Sequence, residues 1–232
     1  MPKYFPIYTT SEYKSIGNVY PQATHYYTAD ILMESLKTDL YHYNAYESMK
    51  NIHRQKPAEN IIWEFTLDPK TIFTDVLSSS SAVSRGFLIS NRLFDFLSPF
   101  KTKEIEFIPC IVRCNNTAEN YHYLYPRESL MDKHIDIAVT TFVLEDSTDE
   151  SFRFEFKAKN KQDYRQRMAN AHNRRLTTKD GLYFNNFLPS DDIIELEHFK
   201  QKLFVSEKLH DFLSTSKLTG FELGDSVTIF QT

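Results

Sequence analysis

Hydrophobic and polar residues alternate along several short segments of the chain, as they do in half-buried β-strands. Residues 121–125 place three tyrosines on one face, and residues 152–156 alternate phenylalanine with charged residues. Residues 135–144 and 105–114 are further strand candidates, the latter with a proline inside it. Residues 4–8 also contain a proline, which is tolerated at a sheet margin, so they are expected to form an edge strand.

A short motif occurs twice, at residues 88–98 and 204–214, where six of eleven positions are identical. In each copy two apolar residues precede a serine, which is a preferred N-cap for a helix. Leu93, Phe96 and Leu97 are expected to share one face of that helix, and Leu209, Phe212 and Leu213 the same face of the second copy. Gly220 is expected to form the turn into the strand that follows the second helix.

Strands that are not regularly interrupted by helices predict an α+β fold, with a mainly antiparallel sheet and segregated helices. The two motifs add a prediction of two similar strand-helix-strand units, at about residues 88–107 and 204–223. A run of four serines at residues 78–81 is typical of a linker. We therefore expect a tyrosine-rich N-terminal module at residues 1–84 and an α+β domain at residues 85–232.

Composition excludes several enzyme classes. Five glycines in 232 residues leave no P-loop, no dinucleotide-binding glycine motif and no G-x-S-x-G nucleophile turn. The formal net charge of −4 provides no overall electrostatic attraction to nucleic acid or to membranes. No apolar run approaches the roughly 18 residues of a membrane span, and the first residues lack an apolar leader. These features predict a cytoplasmic protein.

The two cysteines do not indicate a metal or cofactor site. Cys110 and Cys114 are four residues apart on a predicted strand, about 13 Å along it, which is too far for a disulfide. His122 and His134 do not stand at zinc-finger spacing from them. Two reduced, partly buried thiols and no cofactor are expected.

One enzyme hypothesis remains open, a metal-dependent nuclease of the D…E-x-K type. Asp136 and Glu155 would hold a divalent cation, and Lys157 would stand near the attacked phosphate. The E-x-K pattern is common on any alternating strand with a solvated face, so it has little specificity. No other catalytic arrangement is indicated by the sequence.

A basic stretch runs from Lys157 to Lys179 in an otherwise acidic chain. Such a stretch suits nucleic-acid phosphates or an acidic protein surface, although charge runs often only face water. Its few aromatics, Tyr164 with Tyr183 beyond it, give little support for a base-stacking groove. A nucleic-acid-binding module therefore remains an alternative.

Several apolar-plus-serine segments together resemble a known family. They comprise residues 88–93, the strand region at 105–112, residues 121–124 leading to 135–138, and residues 204–209 continuing through 218–222. Over about residues 86–224 the chain resembles immunity protein family eleven of bacterial polymorphic-toxin systems. The resemblance implies a non-enzymatic α+β protein that binds and neutralises a cognate secreted toxin, with no catalytic residues to carry over.

That resemblance implies a toxin domain as the protein partner, with neither nucleic acid nor membrane. We expect the toxin to be contacted by segments outside the repeated motif, first the basic stretch and then the acidic turn at residues 145–150. The candidate contact residues are Lys159, Lys161, Arg165, Arg167, Arg174, Arg175, Asp146, Asp149 and Glu150.

Overall fold

A computed structural model describes residues 1–10, 23–26, 63–78, 87–103, 105–126, 130–146, 152–169, 174–196, 199 and 203–232. The fold is α+β, with mainly antiparallel sheets and helices segregated from them, as the sequence predicts. The strands are β1 (Lys3–Thr9), β2 (Ala23–Tyr26), β3 (Trp63–Leu67), β4 (Val76–Leu77), β5 (Phe87–Ser90), β6 (Ile105–Cys114), β7 (Thr117–Pro126), β8 (Phe142–Asp146), β9 (Arg153–Phe156), β10 (Arg174–Thr178), β11 (Leu182–Phe184), β12 (Ile193–Glu195), β13 (Leu203–Ser206), β14 (Phe221–Leu223) and β15 (Val227–Gln231). The helices are α1 (Asn91–Leu97), α2 (Leu130–His134), α3 (Lys161–Ala169) and α4 (Glu207–Thr215).

Two of the sheets share the same order over five strands, β3-β6-β7-β5-β4 in one and β11-β15-β1-β13-β12 in the other. In the first sheet β2 lies outside β3, and in the second β14 continues the place of β15 beside β1. In each sheet one pair is parallel, β3 with β6 and β11 with β15, and the other pairs are antiparallel. The agreement in order and direction shows that the short sequence motif belongs to a much larger structural repeat.

Strand register aligns the two halves of the chain residue by residue. Ser90 of β5 pairs with Tyr121 of β7, and Ser206 of β13 pairs with Tyr4 of β1. Equivalent residues are therefore about 117 positions apart, half the length of the chain. We name β1 to β6 repeat one and β7 to β15 repeat two.

The two repeats exchange their first strands. Strand β1 of repeat one lies in the sheet of repeat two, between β13 and the β14–β15 edge. Strand β7, the first strand of repeat two, lies in the sheet of repeat one, between β5 and β6. Each sheet therefore contains strands from both repeats, and neither repeat forms its sheet alone.

The position of β1 corrects one prediction, because the strand at residues 4–8 is central rather than at an edge. Gly224 N donates a hydrogen bond to Pro6 O at 3.0 Å. The nitrogen and carbonyl of one strand residue point to the same side, so the Pro6 nitrogen faces the break between β14 and β15. The missing N–H of proline therefore costs no ladder hydrogen bond at this point.

A shared core joins the helices of both repeats. Leu93, Leu97, Leu209 and Leu213 are buried in one cluster, and Ser90 and Ser206 cap the two helices as predicted. Phe96 and Phe212, which the sequence places on the same faces as these leucines, are 38% and 39% exposed. These two rings contact each other with centroids 5.4 Å apart, so they cover the seam between the helices.

Gly220 forms the predicted turn, with φ +89°, and a Cβ there would overlap Val76 O of repeat one. The serine-rich boundary predicted near residue 84 falls between β4 and β5, which pair with each other. Whether residues 1–84 form a separate module stays a prediction.

The tyrosine strand at residues 121–125 is confirmed. Tyr121, Tyr123 and Tyr125 lie in one buried cluster on β7. Cys110 and Cys114 lie in the same cluster, on β6, as free thiols. They are more fully buried than the sequence predicts.

A third sheet, of order β10-β8-β9, lies between β7 and β11 in the sequence and packs with α3 against repeat two. We call it the inserted sheet for that position in the chain. Phe142, Phe156 and Leu176 of this sheet and Tyr164 of α3 share one core with Phe204 of β13. The strand predicted at residues 152–156 is confirmed as β9. The strand predicted at residues 135–144 is largely wrong, because a turn at residues 137–139 precedes β8.

Candidate functional site

The inserted sheet brings together the ends of the two segments that the sequence predicts as toxin contacts. Strands β8 and β10 are antiparallel, and their register places Arg174 opposite Asp146. The end of the acidic strand and the end of the basic stretch therefore lie side by side. Asp149 and Glu150, from the acidic turn, lie outside the described residues.

The basic candidates are spread over α3 and β10. Lys159, Lys161 and Arg165 are exposed, the first just before α3 and the other two on it. Arg174 and Arg175 begin β10, and only their backbone is described. These residues thus lie on different elements of one inserted unit, which the sequence shows only as a continuous run of charge.

Arg167 is engaged within its own helix. Its Nε donates to Asp163 Oδ1 at 2.9 Å, and its guanidinium lies 5.2 Å from the centroid of Phe156. Asp163 also accepts the backbone N–H of Lys159 at 2.9 Å, and this bond and Arg167 hold the pKa of its carboxyl below the usual value. Arg167 therefore helps to hold α3 on the sheet, besides any contact it makes with a partner.

A row of alternating charges crosses one face of the inserted sheet. Arg153 of β9 lies 3.4 Å from Glu145 of β8 and 3.6 Å from Glu155. Glu155 in turn accepts a hydrogen bond from Lys179 Nζ at 2.8 Å. The Lys179 bond and charge lower the pKa of Glu155, and they raise the pKa of Lys179.

The other face of the sheet is apolar, and its aromatic residues continue from the buried core to the solvent-exposed surface. Phe142 packs on Tyr164 of α3 with ring centroids 5.0 Å apart, and on Phe156 at 5.4 Å. Phe154 stacks on Phe156 at 6.0 Å but is itself 46% exposed. The alternation predicted for residues 152–156 puts Phe154 and Phe156 on the same face, where α3 covers Phe156 but leaves Phe154 open to solvent.

The carboxylates of the nuclease hypothesis have separate partners. Asp136 lies in the turn before β8, where its Oδ1 accepts the N–H groups of Ala138 and Val139, and Thr232 donates to Oδ2. This Asx turn is the reason that extended structure stops after residue 135. Glu155 is bonded to Arg153 and Lys179 as described above. Within the described part of the chain, no group of three or more His, Cys, Asp or Glu is placed to hold a metal ion.

A cleft of about 410 Å³ borders the charged row, between β10 and the start of β15. Its lining includes Glu145, Lys179, Asp180 and Asp225. The cleft is therefore polar and adjoins the candidate contact surface.

Two residues of this unit are absent from the set predicted from sequence: Arg153 and Phe154. The alternation of residues 152–156 is the signal that finds them, once β9 is known to lie beside β8. Sequence alone does not show which strand neighbours β9, because the pairing depends on the tertiary fold.

No helix within the described residues combines the length and apolar character required to cross a membrane. Comparison of the chain with models of known protein families and with curated proteins finds no match.

Proposed function

We propose that this chain is an immunity protein that binds and neutralises a secreted bacterial toxin in the cytoplasm. The proposal rests on the resemblance of residues 86–224 to immunity protein family eleven and on one structural observation. That observation is the inserted sheet of repeat two, in which the ends of the acidic and basic candidate segments lie side by side on neighbouring strands. Tight, specific protein binding uses aromatic anchors together with charges, and β9 carries both, with Phe154 exposed on one face of the sheet and Arg153 on the other.

Binding, in this proposal, occurs through α3 and the end of the β8–β10 pair where Arg174 lies opposite Asp146, with Lys159, Lys161 and Arg165 facing an acidic toxin surface. Charges of this kind mainly raise the association rate, and their effect weakens with salt. The two repeats provide a rigid support, because the exchanged strands and the shared core fix their relative position.

The first test is capture of the tagged full chain from the source bacterium, washed at high salt, with mass spectrometry of what remains bound. A near-stoichiometric secreted protein with a small C-terminal domain is the expected result. That domain, once purified, is then titrated with the wild-type chain in a binding assay and in an assay of its toxicity. Nucleic acid that elutes with salt, or a metal-dependent nuclease activity that Glu155→Ala removes, would support the alternative functions instead.

The contact surface is tested with paired charge reversals. Lys159→Glu with Lys161→Glu is expected to weaken toxin binding at least about tenfold, mostly through a slower association rate. Lys70→Glu with Lys101→Glu makes the same change in net charge at exposed lysines of repeat one, and it should leave binding unchanged. Equal effects of the two pairs would contradict this placement of the contact surface.

A further inference from the structure

Strand β9 lies at the edge of the inserted sheet. In the described residues β8 is the strand that pairs with it, and the sheet order is β10-β8-β9. Asp146 N donates to Phe152 O at 3.4 Å, which fixes the direction of the backbone groups along β9. Because these groups alternate, the N–H and C=O of Phe154 face β8, while those of Arg153 and Glu155 face outward.

The side chains along this edge also alternate. Phe154 projects on the apolar face and is 46% exposed. Arg153 and Glu155 project on the opposite face, with 55% and 36% of their side-chain surface exposed. The edge therefore presents a positive charge, an aromatic ring and a negative charge in successive positions.

We propose that this edge pairs with β9 of a second copy of the chain, antiparallel and centred on Phe154. In that register Arg153 lies opposite Glu155 of the second copy, and Glu155 lies opposite its Arg153. Both are pairs in which each residue donates and accepts a backbone hydrogen bond, which matches the outward groups found here. Phe154 meets its own counterpart in a non-hydrogen-bonded pair, where side chains approach most closely.

Charge selects this register over its neighbours. A pairing centred on Glu155 would place Glu155 opposite itself and Arg153 opposite Lys157. A pairing centred on Arg153 would place two arginines opposite each other. Like charges directly opposite are destabilising in an antiparallel pair. The sequence Arg153-Phe154-Glu155 is therefore complementary to itself in one register only. Charged residues on an edge strand usually prevent pairing with other chains, but here they favour pairing with a second copy of the same strand.

The dimer joins two inserted sheets into one continuous sheet across a two-fold axis. A four-residue strand buries much less than the roughly 1,000 Å² expected of a stable interface, so the association is weak and depends on concentration. This inference is independent of the toxin, because it concerns only the chain itself.

Sedimentation velocity of the full chain, from about 10 µM to about 1 mM, measures this association, over the range in which weak dimers form. The wild type is expected to shift from monomer toward dimer across that range. Arg153→Glu and Glu155→Arg each place like charges in both facing pairs, so each variant alone should dimerise at least about tenfold more weakly. An equimolar mixture of the two variants should recover dimer, because an all-acidic edge then faces an all-basic one.

A second pair of variants tests the backbone. Glu155→Pro removes an N–H that faces away from β8, so the fold should be retained, as circular dichroism would show, while the dimer is lost. Glu155→Gln keeps that N–H and is expected to retain more dimer than the proline variant. A wild type that stays monomeric throughout the range would overturn the proposal. It would also be overturned if mixing the two charge variants restores nothing.

Discussion

Asp75 and Asp192 occupy equivalent positions in the two repeats, and each carboxylate binds the loop that follows the helix of the other repeat. Thr219 N donates to Asp75 Oδ2 at 2.8 Å, and Lys101 N donates to Asp192 Oδ2 at 2.8 Å. Each carboxylate also accepts the hydroxyl of the serine that caps its own repeat's helix. One side chain therefore fixes a helix start in one repeat and a loop in the other, and the chain contains this arrangement twice.

Replacing Asp75 by alanine is expected to lower the free energy of unfolding by about 2–4 kcal/mol. The substitution leaves the hydroxyl of Ser90 and the N–H of Thr219 without their acceptor, and hydrogen bonds to a nearly buried carboxylate are among the stronger ones. Urea unfolding monitored by circular dichroism measures the loss. Asp95→Ala changes an exposed aspartate on the adjacent helix and should cost less than about 0.5 kcal/mol. Similar losses in both variants would show that the shared loop contact contributes little.

The exchanged strands carry a second equivalent pair. Tyr4 donates its hydroxyl to Asp191 O at 2.8 Å, and Tyr121 donates to Thr74 O at 2.6 Å. Each acceptor is the residue before one of the two paired aspartates. Burial, followed by nearby carboxylates, raises the pKa of both tyrosines well above the ordinary value of about 10. The tyrosine of each exchanged strand is thus hydrogen-bonded to the residue that precedes the paired aspartate, and it fixes the backbone there.

Stability should therefore fall steeply above pH 10. Below that pH each tyrosine is protonated in both the folded and the unfolded chain. Above it the unfolded chain releases the proton and the folded chain keeps it, so the free energy of unfolding falls by about 1.4 kcal/mol per pH unit for each tyrosine. Urea unfolding at several pH values between about 9 and 11 measures this slope, within the titration range of tyrosine.

The double variant Tyr4→Phe, Tyr121→Phe is the control for that slope. It is expected to lose about 1–2 kcal/mol per hydroxyl at neutral pH, because two buried carbonyls lose their donor. Above pH 10 its stability should fall less steeply than that of the wild type. Cys110, whose pKa burial raises to about 12, is present in both proteins. Parallel curves for the two proteins would assign the alkaline loss to other groups.

Local chemistry made part of this fold predictable from sequence. The serine caps, the Leu93 and Leu209 core positions and the tyrosine face of β7 each depend on neighbouring residues, and periodicity finds them. In the sequence, the repeat is recognisable only around the two helices that meet at Phe96 and Phe212, where residues remain identical. Elsewhere Phe65 is matched by Leu182 and Leu88 by Phe204, substitutions that keep a core while erasing the sequence signal.

The strand exchange could not be predicted in the same way. The position of β1 depends on pairing with β13, about 200 residues away. The residues around Tyr4 and Pro6 do not indicate which strand will pair with them. The contact surface shows the same limit. The acidic and basic segments are recognisable as charge, but the pairing of Arg174 with Asp146 depends on β8 and β10 being neighbours.

Both cysteines are expected to resist thiol reagents in the native protein. Cys110 is 4% exposed and Cys114 6%, and burial raises the pKa of both thiols, which leaves little reactive thiolate. An aromatic disulfide reagent at pH 8 should therefore label neither thiol at a measurable rate before unfolding, and both in concentrated guanidinium chloride. Rapid labelling of one thiol under native conditions would show that β6 opens locally.

The turn between β6 and β7 offers a direct test of the strand exchange. Asn115 and Asn116 are exposed at this hairpin, and cleavage at an inserted protease site there separates the two repeats covalently. Because each sheet contains a strand of both repeats, the cleaved chain should elute as one species with unchanged circular dichroism. Its urea midpoint should rise with protein concentration, whereas that of the intact chain should not, since unfolding then releases two molecules. The same cleavage in an Asp75→Ala, Asp192→Ala variant should release the halves at lower urea. Halves that separate in native buffer would mean that the exchanged strands and the shared core do not hold the repeats together.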